Sequence, residues 1–214
     1  MKRTIKKYSV LIAVLAIVLS IVIGVTAALQ MQSAGQKSNN FLLGNVNVEI
    51  VEEEWANLKD EDKILYPGKV VAKDPKAKNT GKNSEYVFLE VTVPKVTEIK
   101  IVNSDNVTIE SVNNKELFSY KVNTGWELIF NDDSSDLYNK YVYGYKGIVD
   151  ADDETSTLFD KVEFLNILEG EIKDGTPINI DVRALAVQSD YLELSEESDL
   201  IEIYNKMIIE AATK

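Results

Sequence analysis

The sequence predicts an all-β fold, an antiparallel sandwich of about nine or ten short strands with one C-terminal helix and an export signal in front. Three observations carry this. After residue 41 the apolar residues recur with period two, turn residues interrupt them at short intervals, and the period becomes helical only near residue 195. With 214 residues, 45% apolar and 27% charged, the chain has the composition of one domain with a sizeable core.

The first element is an address. Lys2, Arg3, Lys6 and Lys7 precede an apolar run over 10–25 broken only by Ser20 and Gly24, and small residues follow it. That is the pattern of a secretory signal over 1–27, with cleavage at Ala27 or Ala28 by a signal peptidase. Counted over 9–29, the same run is long enough to remain as an uncleaved anchor. The membrane is expected only through this segment before cleavage, and the rest of the chain is expected to be extracellular, secreted or on the cell surface. Residues 28–40 are rich in Gln, Ser and Asn, with Lys37 their only charge. Such a stretch has too few large apolar residues to anchor itself, and we read it as a flexible arm. Leu29 and Met31 fall on one side of it when extended.

The sandwich domain is assigned to 41–214. Val46, Val48 and Ile50 alternate with polar residues, which predicts a strand with one buried face. Pro67-Gly68 predicts a type II turn. A short strand over 69–73 ends before Asp74-Pro75, and Asn79-Thr80-Gly81 reverses the chain. Residues 86–93 carry apolar side chains on both faces at their start, as a central strand does, and Pro94 is expected to close it. Further strands are expected over 96–102, 107–112, 117–122 and 126–130, with turns at 103–106, 113–114 and 123–125. An acidic loop at 131–136 precedes an aromatic strand over 138–145. A second acidic loop at 150–154 leads into strands over 158–168 and 178–187, separated by an Asp174-Gly175 turn.

The tail predicts a helix over about 195–212, with Leu200, Ile203, Tyr204, Met207, Ile208 and Ala211 on one stripe. Ser195 is the predicted N-cap, and Glu196, Glu197 and Asp199 favour the first turn. Ile201 and Ile209 lie off the stripe, so a second side of the helix is expected to be covered, by a broad packing face on its own sandwich or by a partner.

Composition also excludes chemistry. The chain has no cysteine and no histidine, which removes thiol catalysis, disulfides, serine–histidine triads and histidine-based zinc sites. The formal charge is −12, and losing the four basic residues of 1–27 makes it −16, the wrong sign for a nucleic-acid surface. Asp150, Asp152, Asp153 and Glu154 are the only weak candidates for a metal, a hard cation such as calcium. As an EF-hand the loop fails, with Thr155 where glycine belongs and Lys161 where the bidentate glutamate belongs. Asn131, Asp132, Asp133 and Asp136 match no calcium-loop pattern either. No catalytic residue and no cofactor are assigned. Tyr138, Tyr141, Tyr143 and Tyr145 are candidates for a carbohydrate or partner platform, but cross-strand packing explains the last three equally well.

The run YPGKVVAKDPKAKNTGKNSEYVFLEVTVP over 66–94 resembles the signature stretch of the TasA/CalY (camelysin) family of Gram-positive bacteria. FLLGNVNVEI over 41–50 resembles the segment that opens the mature domain there. LFDKVEF over 158–164 and INIDVRALAVQSD over 178–190 resemble later strands. Members often carry an aromatic-rich Tyr-Phe-Ser/Thr-Asp segment after the signal, where this chain has Ala28, Leu29, Gln30, Met31 and Gln32. The resemblance implies a jelly-roll β-sandwich that serves as a biofilm-matrix fibre subunit or cell-surface protein. It also admits a camelysin-type surface metallo-endopeptidase, for which carboxylates alone are a poor zinc set. An uncleaved signal would instead favour a membrane-tethered binding module. The physical reading points to assembly, because sandwich edges carry unpaired backbone groups that a strand from another copy or a related subunit completes.

Overall fold

The computed structural model describes residues 47–103, 108–172, 178–191 and 199–212. These form an all-β, sandwich-like domain with a C-terminal helix. Every strand pairing is antiparallel. The larger sheet has the order β10 (Asp181–Gln188), β4 (Glu85–Val102), β8 (Tyr138–Val149), β7 (Trp126–Asp132), with β5 (Ile109–Glu116) paired to the far half of β4. The smaller has the order β2 (Val70–Ala72), β9 (Lys161–Phe164), β6 (Phe118–Tyr120). A third pair joins β1 (Val48–Val51) to β3 (Lys76–Asn79).

Period-two alternation explains the core. On β4, Val87, Leu89, Val91 and Val93 point to one side and meet Val71, Phe118, Val162 and Phe164 of the smaller sheet. Phe88, between them in sequence, points to the opposite side and packs with Val142, Val187 and Ile203. Ile203 belongs to helix α2 (Leu200–Ala212), which covers that outer face. The central strand is therefore apolar on both faces, as its sequence predicts.

Several boundaries differ from the sequence reading. Pro94 does not end a strand, since β4 continues through it for 18 residues. Pro94 forms the last pair with β8, opposite Tyr138, and from Lys95 onward the strand pairs with β5. The missing N–H thus falls where the strand changes partners. Asn113 and Asn114 lie inside β5, with Asn114 at φ +49° in the left-handed region that asparagine tolerates. The expected strand over 158–168 shrinks to β9, while Leu158 and Phe159 are buried in the segment before it. The Pro67-Gly68 turn forms, with Gly68 at φ +72° and the Lys69 N–H donating to the Tyr66 carbonyl at 3.0 Å.

Strand β3 and the helix before it in the chain were not legible. The buried positions of β3 are Ala77 and Asn79, so no apolar pattern marks it. The Asn79 amide donates to the carbonyls of Asn83 (2.8 Å) and Val149 (2.9 Å), which offsets its burial. Helix α1 (Glu53–Asn57) is capped from a distance, by Asp74 accepting from the N–H groups of Glu54 and Trp55. At the other end of the chain, α2 begins at Leu200 rather than near 195. Asp199 accepts the Glu202 N–H at 2.8 Å and is the N-cap in place of Ser195, which lies outside the described residues.

Candidate functional site

The two margins of the larger sheet are built differently. Strand β10 pairs with β4 in unbroken register from Asp181 opposite Thr92 to Gln188 opposite Glu85. No described strand bonds to its other edge. Strand β1 packs beside it without a ladder. Its inward row, Val182, Ala184 and Ala186, is small and rests on the main core. On the other face, Leu185 and Val187 pack in the second cluster. Across the sheet Arg183 reaches Glu90 at 3.1 Å, and Lys140 of β8 approaches the same carboxylate at 3.7 Å.

Strand β7, at the opposite margin, is bulged between Leu128 and Phe130. It lies beside α2 and carries Glu127 and Asp132. A bulge, charges and a neighbouring helix are the devices that blunt a sheet edge. Strand β10 has neither bulge nor proline, and apart from β4 its backbone forms no ladder with a described strand, although β1 packs beside it.

Next to the start of β10 the sheets part around a cavity of about 240 Å³. Ile178, Ile180 and Asp181 line one wall, and Val71, Phe118 and Val162 of the smaller sheet line the other. Trp55 stands at its rim, with the ammonium groups of Lys63 and Lys73 at 5.4 and 5.2 Å from the ring centroid. Lys73 also pairs with Glu52 at 2.8 Å. Two wider, open grooves of about 600 and 430 Å³ flank the smaller sheet, one beside Gly68 and Leu165, the other beside Lys121 and Asp160.

The acidic loop is not assembled as a ligand set. Asp150 accepts the Ser84 hydroxyl at 2.5 Å. Asp152 takes φ +67° while its N–H and the Asp153 carbonyl bond to Asn79. Glu154 turns to Lys76 (2.7 Å) and Lys78 (3.7 Å). Its hydrogen bond to Lys76 holds the carboxyl below the usual range and raises the lysine. The described residues contain no group of three or more Asp or Glu placed to hold a metal ion. In the other loop, Asp132 accepts the Ser134 N–H at 3.0 Å, and hydrogen bonding from Ser134 lowers its pKa.

The aromatic strand packs inward. Tyr143 is buried, Tyr141 and Tyr145 lie against the same core, and only Tyr138 is exposed. The Tyr120 and Tyr143 hydroxyls are 3.1 Å apart, and Tyr141 donates to Glu116 at 2.5 Å. Burial is the leading cause that raises all three phenols.

One carboxylate stands apart. Glu85, opposite Gln188 of β10 and Val149 of β8, is 0% exposed and neither oxygen has a hydrogen-bond partner. Burial pushes its pKa up to about 7. Nothing in the sequence distinguished Glu85 from the exposed acids around it. Ala27, Ala28, Leu29 and Met31 lie outside the described residues.

No family model matches the chain, and no curated protein matches it significantly.

Proposed function

We propose that the chain is an exported structural subunit of a biofilm matrix fibre or cell-surface layer, in which a strand from a second copy completes β10. In this reading the sandwich is of the jelly-roll type, residues 1–27 are removed on export, and residues 28–40 supply the donated strand. The observation that carries it is the outer edge of β10, eight residues in regular register with no ladder to another described strand. Backbone pairing gives such an addition its affinity without any reactive side chain. An arm of 13 residues extends to at most about 43–47 Å. It is uncharged over 28–36, whereas the chain as a whole is strongly acidic, so it approaches a neighbour without like-charge repulsion.

Electron microscopy of the purified mature chain at several concentrations tests this directly. Filaments should grow with concentration, and deletion of residues 28–38 should abolish them while thermal unfolding stays cooperative. Monomers at every concentration, or equal fibres from both proteins, would remove the arm-to-edge joint.

A further inference from the structure

The strand-addition reading leaves open what selects the incoming strand, because backbone pairing alone is blind to sequence. We infer that the cavity between Trp55 and the start of β10 is the pocket that reads it, taking one large apolar side chain from the arm of a second copy. This inference rests on the proposed function and adds its specificity.

Position supports the assignment. Ile180 and Asp181 belong both to the cavity wall and to the approach and first residue of β10, so a strand laid on that edge runs over the cavity mouth. Side chains of an added strand alternate, and those on the inward face point towards the seam between the sheets, where Val48 and Ile50 of β1 also pack on the core. Farther along, the inward row is only Val182, Ala184 and Ala186, which offers a shallow surface. The deep place for a large side chain is the cavity beside Val71, Phe118 and Val162.

Size and charge narrow the occupant. A volume of about 240 Å³ is below the roughly 300–1,000 Å³ of drug-sized ligand pockets and suits a side chain. The charged residues that line the cavity are Lys63, Lys73 and Asp181, and Lys73 is paired with Glu52, so the formal charges of these four cancel. A lining without net charge on an acidic protein fits an uncharged segment better than a charged one. Residues 28–36 are such a segment, and Leu29 and Met31 share one face when extended. One of the pair fills the cavity and the other lies on the small inward row.

The test uses a fluorescent peptide of residues 28–40 and the monomeric fraction of the purified chain, read by anisotropy. Ile178→Trp narrows the cavity from a half-buried wall position and leaves β10 intact. It should weaken peptide binding by roughly tenfold or more, the scale set by losing one buried apolar side chain. A peptide with Leu29→Ala and Met31→Ala should lose as much on the unaltered chain and little more on Ile178→Trp. If Ile178→Trp fails to fold, Leu65→Trp, at another residue that lines the same cavity, replaces it. Equal binding of the peptide to narrowed and unaltered cavities overturns the pocket while leaving strand addition standing. No binding to the unaltered chain, together with an absence of filaments, overturns both.

Discussion

The β7 and β10 margins of one sheet are built differently: β7 is irregular and has a helix beside it, while β10 is regular, has β1 beside it and forms no ladder to a described strand other than β4. Strand β7 is bulged at Leu128–Phe130, bears acids, and has α2 for a neighbour. Strand β10 is straight in register, carries Asp181 and Arg183, and has β1 and a cavity beside it. Leu128 and Phe130 are nearly half exposed, yet the bulge disrupts the ladder they would offer. The lesson is that exposed apolar area and readiness to accept a strand are separate properties. The first belongs to side chains and the second to an unbroken row of backbone groups.

The sharpest way to break this contrast is to remove the floor beneath α2. Phe88 is fully buried, packs with Ile203, and its ring lies 5.4 Å from that of Tyr204. Phe88→Ala should destabilise the domain by about 3–5 kcal/mol, measured by urea unfolding. It should also loosen α2, so that new self-association survives deletion of residues 28–38. A variant that loses stability but associates only through the arm would show that the bulge and acids guard β7 without the helix.

Glu85 sharpens the comparison from the β10 side. Its folded pKa of about 7 lies above the ordinary value of 4.5, so the folded state binds more protons between those values. Its contribution to stability is therefore most favourable below about pH 4.5, falls as pH rises towards 7, and then stays level. The ionised form costs about 3 kcal/mol, from a shift of this size at about 1.4 kcal/mol per unit. Glu85→Gln should gain about 2 kcal/mol at pH 8 and nothing at pH 4.5, read from denaturant midpoints at each pH. Parallel curves for the two proteins would show that Glu85 is solvated at the end of β10.

Much of the fold was legible because its signals are local. The alternation in β1, the Pro67-Gly68 turn and the two-sided apolar start of β4 each follow from a few adjacent residues. What was not legible depends on distant partners. Pro94 could continue β4 only because β5 replaces β8 at that point, and α1 is capped by Asp74 from 20 residues away. The site divides in the same way. Residues 178–187 read as a strand, but its place at the margin is a fact of topology. The cavity joins Trp55, Phe118 and Ile178, which no spacing rule connects. The tyrosine face was legible as packing or a platform, and the burial of Tyr143 with Tyr141 and Tyr145 on the core shows packing. Glu154 looked like its acidic neighbours until Lys76 and Lys78 drew it away from them.

The smallest expected effect concerns the start of the guarding helix. Asp199 accepts the Glu202 N–H at 2.8 Å, satisfying one of the backbone donors that a helix leaves unpaired in its first turn. Asp199→Ala should cost about 1 kcal/mol, and Asp199→Asn, which keeps an acceptor but not the charge, should recover most of that. Hydrogen exchange separates the cap from global stability. Amides around Leu200 and Ile203 should exchange faster in Asp199→Ala, while those of β10 should stay as protected as before. If β10 also loses protection, the helix and that strand unfold together, and the two margins are one cooperative unit rather than two.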